Sequence, residues 1–156
     1  MNEITVVEIE KQKVVGIRKT GKYSLIGELL PRLYEYASSN GAEFIGPPMF
    51  ICHEIEVEDV INADMEGNAD VEVVFPIKQY IQESPDIKCY ELEGGKMAKI
   101  IHKGPYDRCQ STYEKLYTWV QLNEKMIMGP IREAYLNDPN EVGPENAIIE
   151  IYAPIN

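Results

Sequence analysis

Apolar positions along the chain fall into two alternating rhythms. Short β-branched runs such as Val14–Arg18, Ala69–Phe75 and Ala147–Ala153 have the composition and length of strands. Between them lie segments with helical spacing. Leu29, Leu30, Leu33, Tyr34 and Ala37 mark one face of a helix over Gly27–Ser39, closed by Asn40-Gly41, with Pro31 fixing its start or bending it. Tyr113, Leu116, Tyr117 and Val120 mark a second helix running to about Asn123. Its entry, Ser111-Thr112-Tyr113-Glu114, has the form of a capping box. Lys96–Lys103, Met126–Leu136 and Lys88–Leu92 read as further strands, and Gly94-Gly95 reads as a hairpin turn.

The order of these elements repeats. Gly21, Tyr23, Leu33, Tyr34 and Gly46-Pro47 recur as Gly104, Tyr106, Leu116, Tyr117 and Gly129-Pro130 at one offset of 83 residues, with Tyr36 falling on Trp119. Towards the end of each repeat the offset shortens to 78, which matches Glu72 with Glu150 and Pro76-Ile77 with Pro154-Ile155. A loop in the acidic stretch EIEVEDVINADMEGNAD absorbs the difference. The expectation is a single α+β domain over 1–156, with internal repeats at about 3–77 and 88–156. Each half is a β-α-β-β unit, and a pseudo-two-fold axis relates the two. The sheet is antiparallel, with helices on one face and a concave ligand cleft on the other.

Composition narrows the function classes. Of 156 residues, 15 are Lys or Arg and 26 are Asp or Glu, a net charge of −11 with no basic patch, which argues against direct nucleic-acid binding and favours cationic partners. The three cysteines, Cys52, Cys89 and Cys109, are odd in number and widely spaced, so neither a disulfide framework nor a zinc site is expected. Cys52-His53-Glu54 has ligand-type residues, but consecutive strand residues point to alternate faces, and no metal or cofactor is expected. His102 reads as a strand-end residue. No apolar run is long enough for a membrane span, and MNEITVVEIE lacks the pattern of a secretory leader, so a cytoplasmic location is expected.

Strand alternation in the last element sets Ile149, Ile151 and Ala153 on one face and Ile148, Glu150 and Tyr152 on the other. A carboxylate among apolar neighbours loses hydration, which a cation and aromatic faces can restore. Glu150 is therefore the candidate ligand anchor. Trp119, Tyr106, Tyr135 and Tyr152 are candidate cleft aromatics, with Phe50 and Phe75 as first-half counterparts and Glu72 as a second carboxylate. Arg132 and Glu133 are assigned no ligand role.

The fragments HKGPY at 102–106, YEKLYTWV at 113–120, GPIREAYL at 129–136 and IEIYAPI at 149–155, in this order within a duplicated layout, resemble the GyrI-like effector-binding domains of bacterial multidrug-responsive regulators. The resemblance covers roughly residues 3–156. It implies a duplicated fold binding lipophilic, often cationic compounds through a glutamate on the last strand, the position of Glu150, among aromatic rings. It also implies two alternatives: hydrolysis of reactive alkylating compounds by the same glutamate, and protection or inhibition of DNA gyrase. The regulators carry a DNA-binding domain that has no counterpart in this sequence, so a role as a transcription factor is not expected.

Overall fold

The computed structural model describes residues 3–156. In chain order the elements are β1 (Thr5–Ile9), β2 (Gln12–Gly21), α1 (Ile26–Ser39), β3 (Met49–Cys52), α2 (Val57–Glu66), β4 (Ala69–Pro76), β5 (Lys88–Leu92), β6 (Gly95–Lys103), α3 (Cys109–Leu122), β7 (Ile131–Tyr135), α4 (Pro139–Val142) and β8 (Ile148–Pro154). Single 3-10 turns, Tyr23–Leu25 and Tyr106–Arg108, lead into α1 and α3. The fold is α+β and duplicated.

The chain forms two compact units. In residues 10–94 the strands run β3-β4-β2-β5, all antiparallel. In the other unit, residues 95–156 with the N-terminal segment to Ile9, they run β1-β6-β8-β7, again antiparallel. Each unit thus takes its edge strand from the other repeat. Gly94-Gly95 is consequently not a hairpin: β5 pairs with β2, whereas β6 pairs with β1 and β8.

One helix covers one face of each sheet. Leu29, Leu33 and Ala37 of α1 and Thr112, Leu116 and Val120 of α3 are buried at the same spacing of four. Beneath α1 lie Val15, Ile17, Val71 and Val73, each no more than 1% exposed, and beneath α3 lie Ile149 and Ile151, equally buried. Each such side chain contributes roughly 1.5–3 kcal/mol of transfer free energy. Phe75 belongs to this layer too, packing with Phe44 and Tyr34 at centroid distances of 5.2 and 5.9 Å.

Several local readings are corrected. α1 runs through Pro31 rather than starting at it. The capping box does not form: α3 begins two residues before Ser111, whose hydroxyl donates to the Arg108 carbonyl instead. The acidic stretch expected to be a loop contains α2. This helix buries only Ala63, so it carries little apolar signal. Glu58 and Asp59 suit its N-terminus, and Gly67, at φ 68°, closes it in the left-handed conformation. The strand expected over Met126–Leu136 is reduced to Ile131–Tyr135, because Pro130 lacks an N–H to continue the ladder and Ile127 makes only an isolated bridge to Ile155.

Candidate functional site

Strand alternation on β7 points Ile131, Glu133 and Tyr135 towards α3, and Arg132 and Ala134 away from it. Tyr113, on the side of α3 facing β7, donates its hydroxyl to Glu133 Oε2. Tyr135 Oη donates to Oε1 at 3.0 Å. Further rings extend the wall: Tyr106 lies 5.6 Å from Tyr135 and Tyr117 lies 5.9 Å from Tyr113, centroid to centroid. Glu133 is thus a carboxylate in a tyrosine cage.

The electrostatics follow from that setting. Burial raises the Glu133 carboxyl above its ordinary range, although the Tyr113 and Tyr135 hydroxyls and nearby His102 pull it the other way. Burial, then the Glu133 charge, raises Tyr135 well above a free phenol. Cys109, at the start of α3, is pushed up to about 12 by burial and by Glu133 and Asp107, which keeps it a thiol. Among the described residues no Lys or Arg lies within ion-pair distance of Glu133. The cage therefore holds a carboxyl group that has hydroxyl donors but, among the described residues, no Lys or Arg partner.

Glu150 sits on the opposite face of the same sheet and differs in kind. Lys99 Nζ approaches its Oε2 to 2.8 Å and Tyr152 Oη donates to Oε1 at 2.9 Å. Lys99 also lies 5.6 Å from the Tyr152 ring centroid and is raised above an ordinary lysine, chiefly by its bond to Glu150. The expected bare carboxylate among rings is a paired one.

Glu72, in the other unit, is 5% exposed. His53 Nε2 lies 2.6 Å from Oε1, and Tyr90 Oη donates to Oε2 at 2.6 Å. Burial alone would raise this carboxyl, but the bonds from His53 and Tyr90 and the charges of His53 and Arg18 outweigh it and hold it below its ordinary value. Cys52, His53 and Glu54 diverge, as alternation requires. His53 turns to Glu72, while Glu54 accepts from Tyr23 Oη at 2.6 Å and from the Asp70 amide at 3.0 Å. His102 is buried. Its Nε2 donates to the Pro105 carbonyl at 2.9 Å, so in the neutral ring Nδ1 accepts from Thr112 Oγ1 at 2.8 Å, a structural role at the strand end.

The candidate residues therefore separate. Tyr106 and Tyr135 join the cage, but around Glu133 rather than Glu150. Tyr152 stays with Glu150, and Trp119 is half-buried on α3. Phe50 meets Tyr23 edge-on at 5.9 Å within the first unit, and Phe75 is core. Sequence reasoning missed Glu133, along with the polar end of Tyr113, which it read as part of the buried stripe. The signal was available in REAY at 132–135: alternation puts Glu133 and Tyr135 on one face, and the duplication puts Phe50, a core-type residue, opposite Glu133 in register. A carboxylate at a core position was the clue.

The chain matches the GyrI-like small molecule binding domain over residues 2–156. No curated protein sequence matches it. Among solved structures it is similar to the EcmrR C-terminal domain, with TM-score 0.86 and 22% identity over 100% of this chain and 98% of that one. It also covers 57% of the EcmrR chain solved with DNA in EcmrR-RPo, with 99% of this chain aligned, TM-score 0.87 and 20% identity. A hydrolase from Listeria innocua aligns with TM-score 0.70 and 13% identity, over 99% of this chain and 92% of that one. SAV2435 bound to tetraphenylphosphonium aligns with TM-score 0.60 and 14% identity, over 99% and 94%. At these identities the likeness is one of fold. Among the described residues, no helix is long and apolar enough to cross a membrane.

Proposed function

Because the chain belongs to the GyrI-like family of small-molecule-binding domains, we propose that it binds lipophilic cations, with Glu133 as the anionic anchor and Tyr106, Tyr113, Tyr117 and Tyr135 as the wall. The observation that carries this reading is a carboxylate raised by burial, held by two phenol hydroxyls and lacking a cation. Its ionised form is costly in that setting. A ligand bearing positive charge restores the missing stabilisation, and each ring adds about 0.5–2 kcal/mol of cation–π attraction. Charge and π-faces demand little shape, so selectivity is broad. The likeness to SAV2435, solved with a phosphonium ion, supports the same ligand class. Glu150 is the weaker anchor because Lys99 already meets its charge.

Titration with tetraphenylphosphonium, followed by the fluorescence of Trp119, tests the reading. Saturable binding is expected to tighten as pH rises through the raised carboxyl range of Glu133. Glu133→Gln is expected to cost about 2 kcal/mol, roughly thirtyfold in Kd, and Glu150→Gln little. Equal affinity in the wild type and Glu133→Gln would overturn it. A hydrolase would draw on the same raised carboxyl as a proton donor. Turnover of a strained electrophile that Glu133→Gln abolishes, with cation binding absent from the wild type, would favour that second reading.

A further inference from the structure

A recess of about 500 Å³ opens in the unit spanning residues 10–94, lined by β2, β5 and the Pro85-Asp86 segment. Its composition runs against that of the whole chain. Three cations, Arg18, Lys19 and Lys88, stand on its wall against two carboxylates, Glu72 and Asp86, in a protein of net charge −11.

Both carboxylates are already engaged. Glu72 holds His53 and Tyr90, while Asp86 accepts from Arg32 at 2.5 Å and meets Lys19 Nζ at 3.3 Å. Arg18 is clasped by Asp70 through Nε and Nη2, at 2.8 and 2.6 Å. Lys88 is exposed and makes no ion pair among the described residues.

The floor is built for a flat guest. A Cβ at Gly16 would come within 2.3 Å of Tyr90 Oη, so the glycine is what lets the Tyr90 side chain lie across the sheet. That leaves an aromatic surface beside Lys88, with Pro85 also on the wall. The duplication supplies an internal control. At the places of Arg18, Lys19, Lys88, Gly16 and Tyr90 the other repeat has Ile101, His102, Thr5, Lys99 and Val7. The other repeat builds the same strands without these cations or the ring, meeting its own carboxylate with Lys99, so the exposed Lys88 beside Tyr90 is not a demand of the shared frame.

We propose that this recess is a second binding site, selective for small aromatic carboxylates, whose ring stacks on Tyr90 while the anion meets Lys88 and the free edge of Arg18. It is opposite in ligand charge to the Glu133 cage and independent of it. A recess of this volume suits a one- or two-ring compound, and stacking with a charge-assisted hydrogen bond supplies both affinity and orientation.

The test is titration of the ¹⁵N-labelled protein with 1-naphthoate and with uncharged 1-naphthalenemethanol. Naphthoate is expected to give saturable amide shifts clustered at Gly16, Lys88 and Tyr90, and the alcohol none. Lys88→Gln is expected to weaken naphthoate about fivefold, the size of one partly exposed charge contact, and Lys88→Arg to retain it. Glu133→Gln is expected to leave it unchanged, which separates this site from the cation site. Scattered shifts, equal response to the alcohol, or unaltered affinity in Lys88→Gln would each overturn the proposal.

Discussion

Glu72 and Glu150 hold matching strand positions in the two repeats, yet different groups answer their charge. In the first unit Tyr90 reaches over Gly16 from the edge strand and donates to Glu72. In the second, the residue in Gly16's place is Lys99, whose ammonium meets Glu150 directly, and the edge strand supplies only Val7 in Tyr90's place. The tyrosine solution requires a glycine floor and buries the carboxylate. The lysine solution fills the floor and leaves Glu150 half-exposed. On the helix-covered face the contrast reverses. The first unit has Phe50 against Tyr23, an apolar contact, where the second places Glu133 among tyrosines. One duplicated frame thus carries, on one face in each unit, an acid met by a nitrogen base, and on the other face of only one, an acid held by tyrosine hydroxyls.

The sharpest way to break this comparison is to force one solution onto the other half. Gly16→Lys is expected to cost about 3 kcal/mol in urea unfolding, because the new Cβ evicts Tyr90 and strips the buried Glu72 of a donor. The pair Gly16→Lys with Tyr90→Val recreates the Lys99/Val7 arrangement and is expected to recover more than half of that loss. No recovery would mean that the two carboxylates are not interchangeable.

A second experiment compares the pH limbs of stability. The depressed folded value of Glu72 means that its contribution is present above its unfolded pKa and is lost as pH falls through the folded value. Glu72→Gln is expected to flatten the acid limb and, by weakening the bonds of His53 and Tyr90, to cost about 2 kcal/mol at neutral pH. Glu133 has the opposite sign. With its folded value raised, stability is greatest while it is protonated and declines as pH rises through that value. Glu133→Gln is expected to remove this decline. Identical pH curves for the two variants would end the distinction. The smallest effect is expected from Tyr152→Phe, about 0.5 kcal/mol, since Lys99 still pairs with Glu150.

Much of the frame was legible from residue order. The helical stripe at Leu29, Leu33 and Ala37, the strands from Val14 and Ala69, and the offset linking the repeats are all local or periodic signals. Edge-strand pairing was not legible, because β1 and β5 each pair with strands beyond their own repeat and Gly94-Gly95 imitates a hairpin. The site was half legible. Tyr106 and Tyr135 are drawn out by their residue type, but Glu133, beside Arg132, carries no ligand signal of its own. The alternation rule sends those two residues to opposite faces, and following it with the Phe50 correspondence leads to the cage.

The exchange of edge strands bears on how this domain can be cut or rebuilt. A gene broken at the Gly94-Gly95 junction would yield a 1–94 piece carrying β1 without the β6 it zips to, and a 95–156 piece whose β6 lies bare along one side. The 1–94 piece keeps all four strands of its own unit, whereas the 95–156 piece lacks one of its four. Reassembly from separate chains depends on the 1–94 piece lending its first ribbon to the other, while β5 stays beside β2, so the smaller piece is the dependent one.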